Sequence, residues 1–221
     1  GHLNLGVEGM MAIGAVAGFA AGYATGNLAA AMAAAFLAGM LAALIYAVLT
    51  VGFMANQNVI GLTLTIFGVG LSNFIGVYMI GKTDSNTWQL PAELIAQMKN
   101  VTIPVLSDIP VLGKLLFNYD PFTYVGIVIA LLCGWYLFRT KTGLNVQAIG
   151  ENPSAADAAS IQVTKWKYIN ILLGGGICGI GGMYMSMVTT SGVWVHGCVS
   201  GYGWLAVALV IFSTWRPFRG M

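Results

Sequence analysis

Charge is what this sequence has least of. Of its 221 residues, 7% are Asp, Glu, Lys or Arg and 58% are hydrophobic. A soluble domain carries about 25% charged residues, so an ordinary soluble fold is excluded. The scarcity is also uneven. No charge occurs in the 73 residues between Glu8 and Lys82, in the 18 residues 121–138, or in the 48 residues 168–215. Cysteine is scarce too: Cys133, Cys178 and Cys198 form no CxxC pair, which removes a disulfide framework or a zinc site from consideration. There is no basic run and the net charge is +2, so nucleic acid is not an expected partner. No basic n-region opens the chain, so no signal peptide is expected. Neither GxSxG nor HExxH occurs, which leaves a membrane hydrolase without a visible nucleophile or metal centre.

What is present is long apolar sequence rich in Ala, Leu and Gly. Only helices and closed barrels satisfy their own backbone in lipid, and the period-2 alternation of a barrel is missing. A span takes about 20 apolar residues, so the charge-free stretches hold about three, one and two spans. The expected fold is an all-α, polytopic helical membrane protein with spans near 5–25, 28–51, 58–80, 121–138, 168–189 and 200–215. This makes 1–221 a single transmembrane domain. Arg139, Lys141, Lys165 and Lys167 flank span ends in the 139–167 loop, and Arg216 and Arg219 follow the last span. Parity puts these two basic segments on one side, which the positive-inside rule makes cytoplasmic. The 82–120 loop then lies outside. Re-entrant segments would preserve this parity and stay open. The chain starts without Met and stops soon after a span, so a longer permease-like chain, truncated at both ends, is expected.

Glycines organise the spans. Gly14, Gly18, Gly22 and Gly26 repeat every four residues, the small-xxx-small pattern that lets backbones approach closely in lipid. Gly174, Gly175, Gly176, Gly179, Gly181 and Gly182 admit two readings: tight packing, or a helix that breaks near a transported solute. Two motif matches fail on context. Gly76 to Thr83 fits GxxxxGK[ST], but a membrane span precedes it and a loop follows. Gly174-x-Gly176-x-x-Gly179 fits the dinucleotide fingerprint without a βαβ frame. His196 and Cys198 are two potential ligands, too few for a metal site.

A transporter of polar solutes needs hydrogen-bonding groups at membrane depth. The candidates are Asn4, Glu8, Asn56, Gln57, Asn58 and Asn73, with Thr63 and Thr65. Glu8 is a pathway candidate because ionisable residues in spans are costly, and an interfacial position is its alternative. Asn56 to Asn58 also suit an interfacial turn, and Asn73 an interhelical hydrogen bond. In the 139–167 loop, Asn152 is a good N-cap and Pro153 a good first helical residue. Ala155, Ala156, Asp157, Ala158 and Ala159 continue a slim helix of about nine residues, roughly 13 Å long. Such a rod suits a groove on another protein, or serves as a connector.

The segment Gly143-Leu-Asn-Val-Gln-Ala-Ile-Gly-Glu-Asn-Pro-Ser-Ala-Ala-Asp-Ala-Ala-Ser-Ile161 resembles the cytoplasmic loop of permease subunits of ATP-binding-cassette importers. The branch is the one serving ribose-type sugars, nucleosides and branched-chain amino acids. Asn4-Leu-Gly-Val-Glu-Gly-Met-Met11 resembles the opening of its nucleoside and simple-sugar permeases. Asp108 to Gly113 resembles their outer loop, and Gly201 to Phe212, with Arg216-Pro217 after it, a late span. The likeness covers essentially the whole chain. Ser160 departs from it, since the family usually has Gly before Ile. The resemblance implies that 152–161 is a coupling helix. Glu151, Asn152, Pro153 and Asp157 would contact a separate cytoplasmic ATPase, with Ala155 and Ala156 as the close-packed face. It also implies a second permease subunit, the same or related, and an extracytoplasmic solute-binding protein. The location is a bacterial-type inner membrane. ATP and magnesium belong to the ATPase, and this chain holds no cofactor, no metal and no catalytic residue. The expected function is alternating-access import of nucleosides or related simple sugars. A secondary transporter or channel for small polar solutes is the alternative.

Overall fold

A computed structural model describes residues 4–83, 86–98 and 120–213. The 108–113 motif and the terminal segment with Arg216 and Arg219 lie outside the described residues. The helices in chain order are α1 (Val7–Thr25), α2 (Leu28–Ala47), α3 (Gln57–Ile80), α4 (Ala92–Gln97), α5 (Pro121–Arg139), α6 (Lys141–Glu151), α7 (Pro153–Ala158), α8 (Val163–Met187) and α9 (Tyr202–Phe212). A π-helical stretch, Val48–Gly52, prolongs α2. Among the described residues there is no strand beyond one isolated bridge, Gln89 with Val193. Among the described residues, five helices are long and apolar enough to cross a membrane: Val7–Thr25, Leu28–Gly52, Gln57–Ile80, Pro121–Arg139 and Val163–Met187. The protein is a polytopic helical membrane protein.

The centre of the fold is α1, packed against α8, α2 and α3. Lipid tails are as apolar as Leu, so membrane helices associate through close packing rather than hydrophobic expulsion. The glycines make that possible. A Cβ on Gly14 would fall on the backbone of Gly179, and one on Gly182 on the carbonyl of Met11. The same stripe of α8 also meets α2, with Gly175 and Gly179 against Ala43, Gly39 and Ala35. Gly9 meets Gly68 of α3 in the same way. The fourth member of the row differs: Gly26 has φ 62° and ends α1 as its left-handed cap, with Asn27 starting α2 at once. The packing reading of the second cluster also holds, because α8 runs unbroken from Val163 to Met187.

The break in regularity comes after α8. The sequence leads one to expect a sixth span over 200–215, but α9 has 11 described residues. At 1.5 Å per residue that is about 16 Å, half a bilayer core. Before it, residues 188–201 descend through the protein without helix. At one end, Trp194 N donates to the Trp88 carbonyl at 2.9 Å and Leu90 N to that of Gly192 at 2.9 Å. Here Phe19 packs edge-on to Trp88 and Trp194, with centroids 4.6 and 5.3 Å away. Further down, Gly197 N reaches Asn73, and Gly201 N reaches Glu8. From Phe19 to Glu8 is eleven residues of α1, about 16 Å of depth.

Helix α5 stands apart from this core. Its N-cap Asp120 accepts from Thr123 N at 2.9 Å and from the Tyr184 hydroxyl of α8 at 3.0 Å. At the far end, Thr140 turns the chain into α6. Its hydroxyl donates to the Tyr136 carbonyl at 2.6 Å and accepts from Gly143 N at 3.0 Å. The short α7 closes with a Schellman motif: Ile161 N donates to the Ala156 carbonyl at 3.1 Å and Ser160 N to that of Asp157 at 2.9 Å. This requires a left-handed residue at 160, and Ser160 has φ 62°.

Three substitutions test this packing and this cap. Gly182→Ala should destabilise the detergent-solubilised protein by about 1–3 kcal/mol through overpacking. Gly174→Ala, with open space around it, should leave the thermal midpoint unchanged or raise it. Ser160→Gly should relieve a left-handed strain of about 1 kcal/mol. Hydrogen exchange at the Ile161 amide should then slow roughly fivefold.

Candidate coupling and translocation sites

The geometry of α7 follows from its two ends. Asn152 terminates α6 and caps α7, its side-chain oxygen accepting from Ala155 N at 3.1 Å, and Pro153 occupies the first turn. Six residues are helical, fewer than the nine expected, because Ser160 turns left-handed. Glu151, Asn152, Pro153, Ala155 and Asp157 are exposed. Ala156 is not: it is 3% exposed and faces its own chain. The sequence reading that paired Ala155 and Ala156 on one outward face is therefore corrected. Adjacent helical residues point about 100° apart, and a helix this short uses one of them to hold itself down. The outward surface consists of Ala155 and Asp157 with Ala158 and Ala159.

Behind α7 lies a cavity of about 600 Å³. One wall is α6 and α7, through Val146, Ile149, Gly150 and Pro153. The opposite wall is one stripe of α8, Trp166, Asn170, Gly174 and Cys178, each four residues from the last. Lys167, Ile171 and Gly175 of α8 widen this wall, and Asn4, Val7 and Gln57 complete the lining. The chain start, the turn before α3 and the 139–167 segment therefore meet at one end of the protein. The 86–98 and 188–194 segments meet at the other.

The polar candidates are spread over three environments. Asn4 lines the cavity, and its side-chain oxygen accepts from Gly6 N at 2.9 Å. Asn56 is exposed and caps α3, accepting from Asn58 N at 3.0 Å and Val59 N at 3.3 Å. Asn58 is exposed beside it. Thr63 bonds back to the Val59 carbonyl at 2.9 Å, and Thr65 to the Leu5 carbonyl at 3.0 Å. This last contact sets the depth of α1. Thr65 is eight residues into α3, about 12 Å from its start, and Gly9 sits against it.

Glu8 is therefore inside the protein rather than at a solvated interface, and it is 7% exposed. Its Oε1 accepts from Gly201 N at 3.1 Å. Higher up, Asn73 Oδ1 accepts from Gly197 N at 3.2 Å. Non-helical backbone at membrane depth needs such partners. Two of the polar side chains singled out in the sequence thus serve the descending segment.

Several residues of the site escape a reading along the chain. Helix α6 has a signal in Thr140-x-x-Gly143, a cap three residues before the glycine whose Cβ would strike the Tyr136 carbonyl. Gln147 then ties α6 to the Leu137 carbonyl. The Trp166–Cys178 stripe is visible as an i+4 series once α8 is known to be continuous. The Phe19–Trp88–Trp194 cluster has no local signal, since its members lie in three distant segments. Among the described residues no group of three or more His, Cys, Asp or Glu is placed to hold a metal.

Comparison with known proteins adds the family. The chain is 34% identical over 219 residues to a protein of Haloferax volcanii provisionally named a glucose ABC transporter permease, covering 99% of this chain and 64% of the relative. It is 34% identical over 229 residues to the guanosine ABC transporter permease of Bacillus subtilis, covering 100% of this chain and 69% of that protein. It is 31% identical over 230 residues to the nucleoside ABC transporter permease of Lactococcus lactis, covering 100% and 69%. The chain thus spans about two thirds of the length of these curated relatives. No solved structure matches it at a significant level. The family model described as "Branched-chain amino acid transport system / permease component" matches residues 1–221, and the chain belongs to that family of transport permeases.

Proposed function

We propose that this chain is part of the permease subunit of an ATP-driven importer, moving nucleosides or related simple sugars across a bacterial-type inner membrane by alternating access. The observation that carries the reading is α7. It shows an outward face of small residues with one carboxylate, and together with α6 it forms a wall of the cavity whose other wall is α8. A push on α7 would act on that cavity directly. A separate ATPase, binding ATP and magnesium, would dock on Ala155 and Asp157, with Glu151, Asn152 and Pro153 at the margin. The 139–167 segment would then be cytoplasmic and 82–120 extracytoplasmic, where a solute-binding protein delivers its load. The exposed apolar faces of α2 and α3, including Leu41, Ile66 and Phe74, suit lipid and a second permease subunit.

The solute class rests on the relatives' names and on the chemistry of the cavity, which offers the amides of Asn4, Gln57 and Asn170 and the indole of Trp166, with one cation, Lys167, in the lining. Amides and an aromatic face suit neutral, hydroxyl-bearing solutes. This chain's part would be conduction, with hydrolysis left to the partner.

Full-length permease reconstituted with its ATPase and binding protein should take up guanosine or glucose only when ATP is supplied. Uptake driven by an ion gradient with the ATPase omitted would replace this reading by a secondary transporter. Ala155→Arg should keep the thermal midpoint while weakening ATPase association about tenfold, ~1.4 kcal/mol. Ala156→Arg should lower both, because its side chain faces inward. Unchanged association and uptake in Ala155→Arg would remove α7 as the docking element.

A further inference from the structure

Glu8 is the only charged residue among the described ones that is buried. It stands at the N-terminus of α9, whose first turn lies directly on it: a Cβ on Gly203 would collide with the Glu8 backbone. One carboxylate oxygen, Oε1, accepts from Gly201 N. The other, Oε2, is buried without a hydrogen-bond partner among the described residues. A buried carboxylate oxygen lacking a donor is costly. The site is built to accept hydrogen bonds and is one donor short.

The element that closes it, 188–201, is not helical. Ser191, Gly192, Gly197 and Gly201 all have left-handed φ, between 55° and 83°. Between this segment and α1 and α3 there is a void of about 10 Å³, lined by Ala12, Asn73, Gly197 and Ser200 among others. That is room for no more than about one water, so a solute enters only if 188–201 draws back.

Building on the permease reading above, we infer that Glu8 is the recognition point for a vicinal diol. As 188–201 retracts, Gly201 N–H leaves Oε1, and two neighbouring hydroxyls of the solute donate to Oε1 and Oε2. One hydrogen bond is exchanged for two, and the orphaned oxygen gains its donor. In the empty state the Gly201 amide stands in for the first hydroxyl and latches the segment shut. The ribose of a nucleoside and the ring of a hexose both carry such a diol, so one carboxylate serves either solute.

The test uses full-length permease in nanodiscs and tritiated guanosine or 2′-deoxyguanosine, which lacks one of the two hydroxyls. Wild type should prefer guanosine by about tenfold or more, as sites built to bond a hydroxyl do. Glu8→Gln keeps an acceptor for Gly201 N but presents an amide donor to the second hydroxyl. It should lose guanosine affinity about tenfold and lose the preference. A wild type that does not discriminate, or a Glu8→Gln variant that discriminates as well as wild type, overturns the proposal. A second measurement keeps Glu8 and replaces Cys133 and Cys178 by Ser. Guanosine should accelerate N-ethylmaleimide labelling of Cys198 on the segment, and 2′-deoxyguanosine should not. Equal rates overturn the proposal even if Glu8→Gln fails to fold. ATP-coupled wild type that imports neither guanosine nor glucose would sink the permease reading itself, whereas import with undiminished preference in Glu8→Gln sinks the Glu8 role alone.

Discussion

The structure depends on the approach of α1 to α8, backbone against backbone. Gly14 rests on Gly179, and Gly182 receives the carbonyl of Met11. In lipid, where burial of apolar surface offers no advantage over the surrounding tails, such contact supplies the dispersion energy that holds helices together. The same glycine face of α8 also meets α2, through Gly175 and Gly39. Side chains larger than hydrogen at these points would separate the helices, and the central position of α1 would be lost.

That central position accounts for the polar chemistry. With α1 surrounded by α2, α3 and α8, Glu8 is carried about 12 Å along α3 from the cavity end. The descending segment can then run beside α1 because Asn73 and Glu8 satisfy its amides at two depths. Non-helical backbone so far from the ends would otherwise hold unsatisfied donors. The same segment is pinned at the opposite end by Phe19, Trp88 and Trp194, three aromatic rings in mutual contact. Helix α8 joins the two ends. It begins five residues after α7 ends, borders the cavity with one stripe and carries α1 on its glycine face.

Much of this was legible along the chain, for identifiable reasons. The charge-free stretches mark the five long helices to within a few residues, because a bilayer core excludes charge over a fixed length. Asn152 and Pro153 mark the start of α7, because capping is local. The length of α7 was less legible: Ser160 gives no hint of a left-handed backbone, as a glycine there would. The sixth stretch looks like a span by composition. Whether an apolar run becomes a whole helix or a bend followed by a half-helix depends on partners for its freed amides, and those lie 124 and 193 residues away in sequence.

By itself, then, the sequence determined the class of solvent, the apolar stretches that hold the long helices, the glycine faces by which they meet, and the capped helix in the basic loop. Each follows from interactions spanning a few residues or from the thickness of a membrane. The tertiary structure alone decided that Ala156 faces inward, that a stripe of α8 forms a cavity wall with α6 and α7, and that Glu8 is buried with one oxygen engaged and one free. These depend on which helix lies against which. That is settled by close backbone contacts between segments far apart in the chain, which no local pattern records.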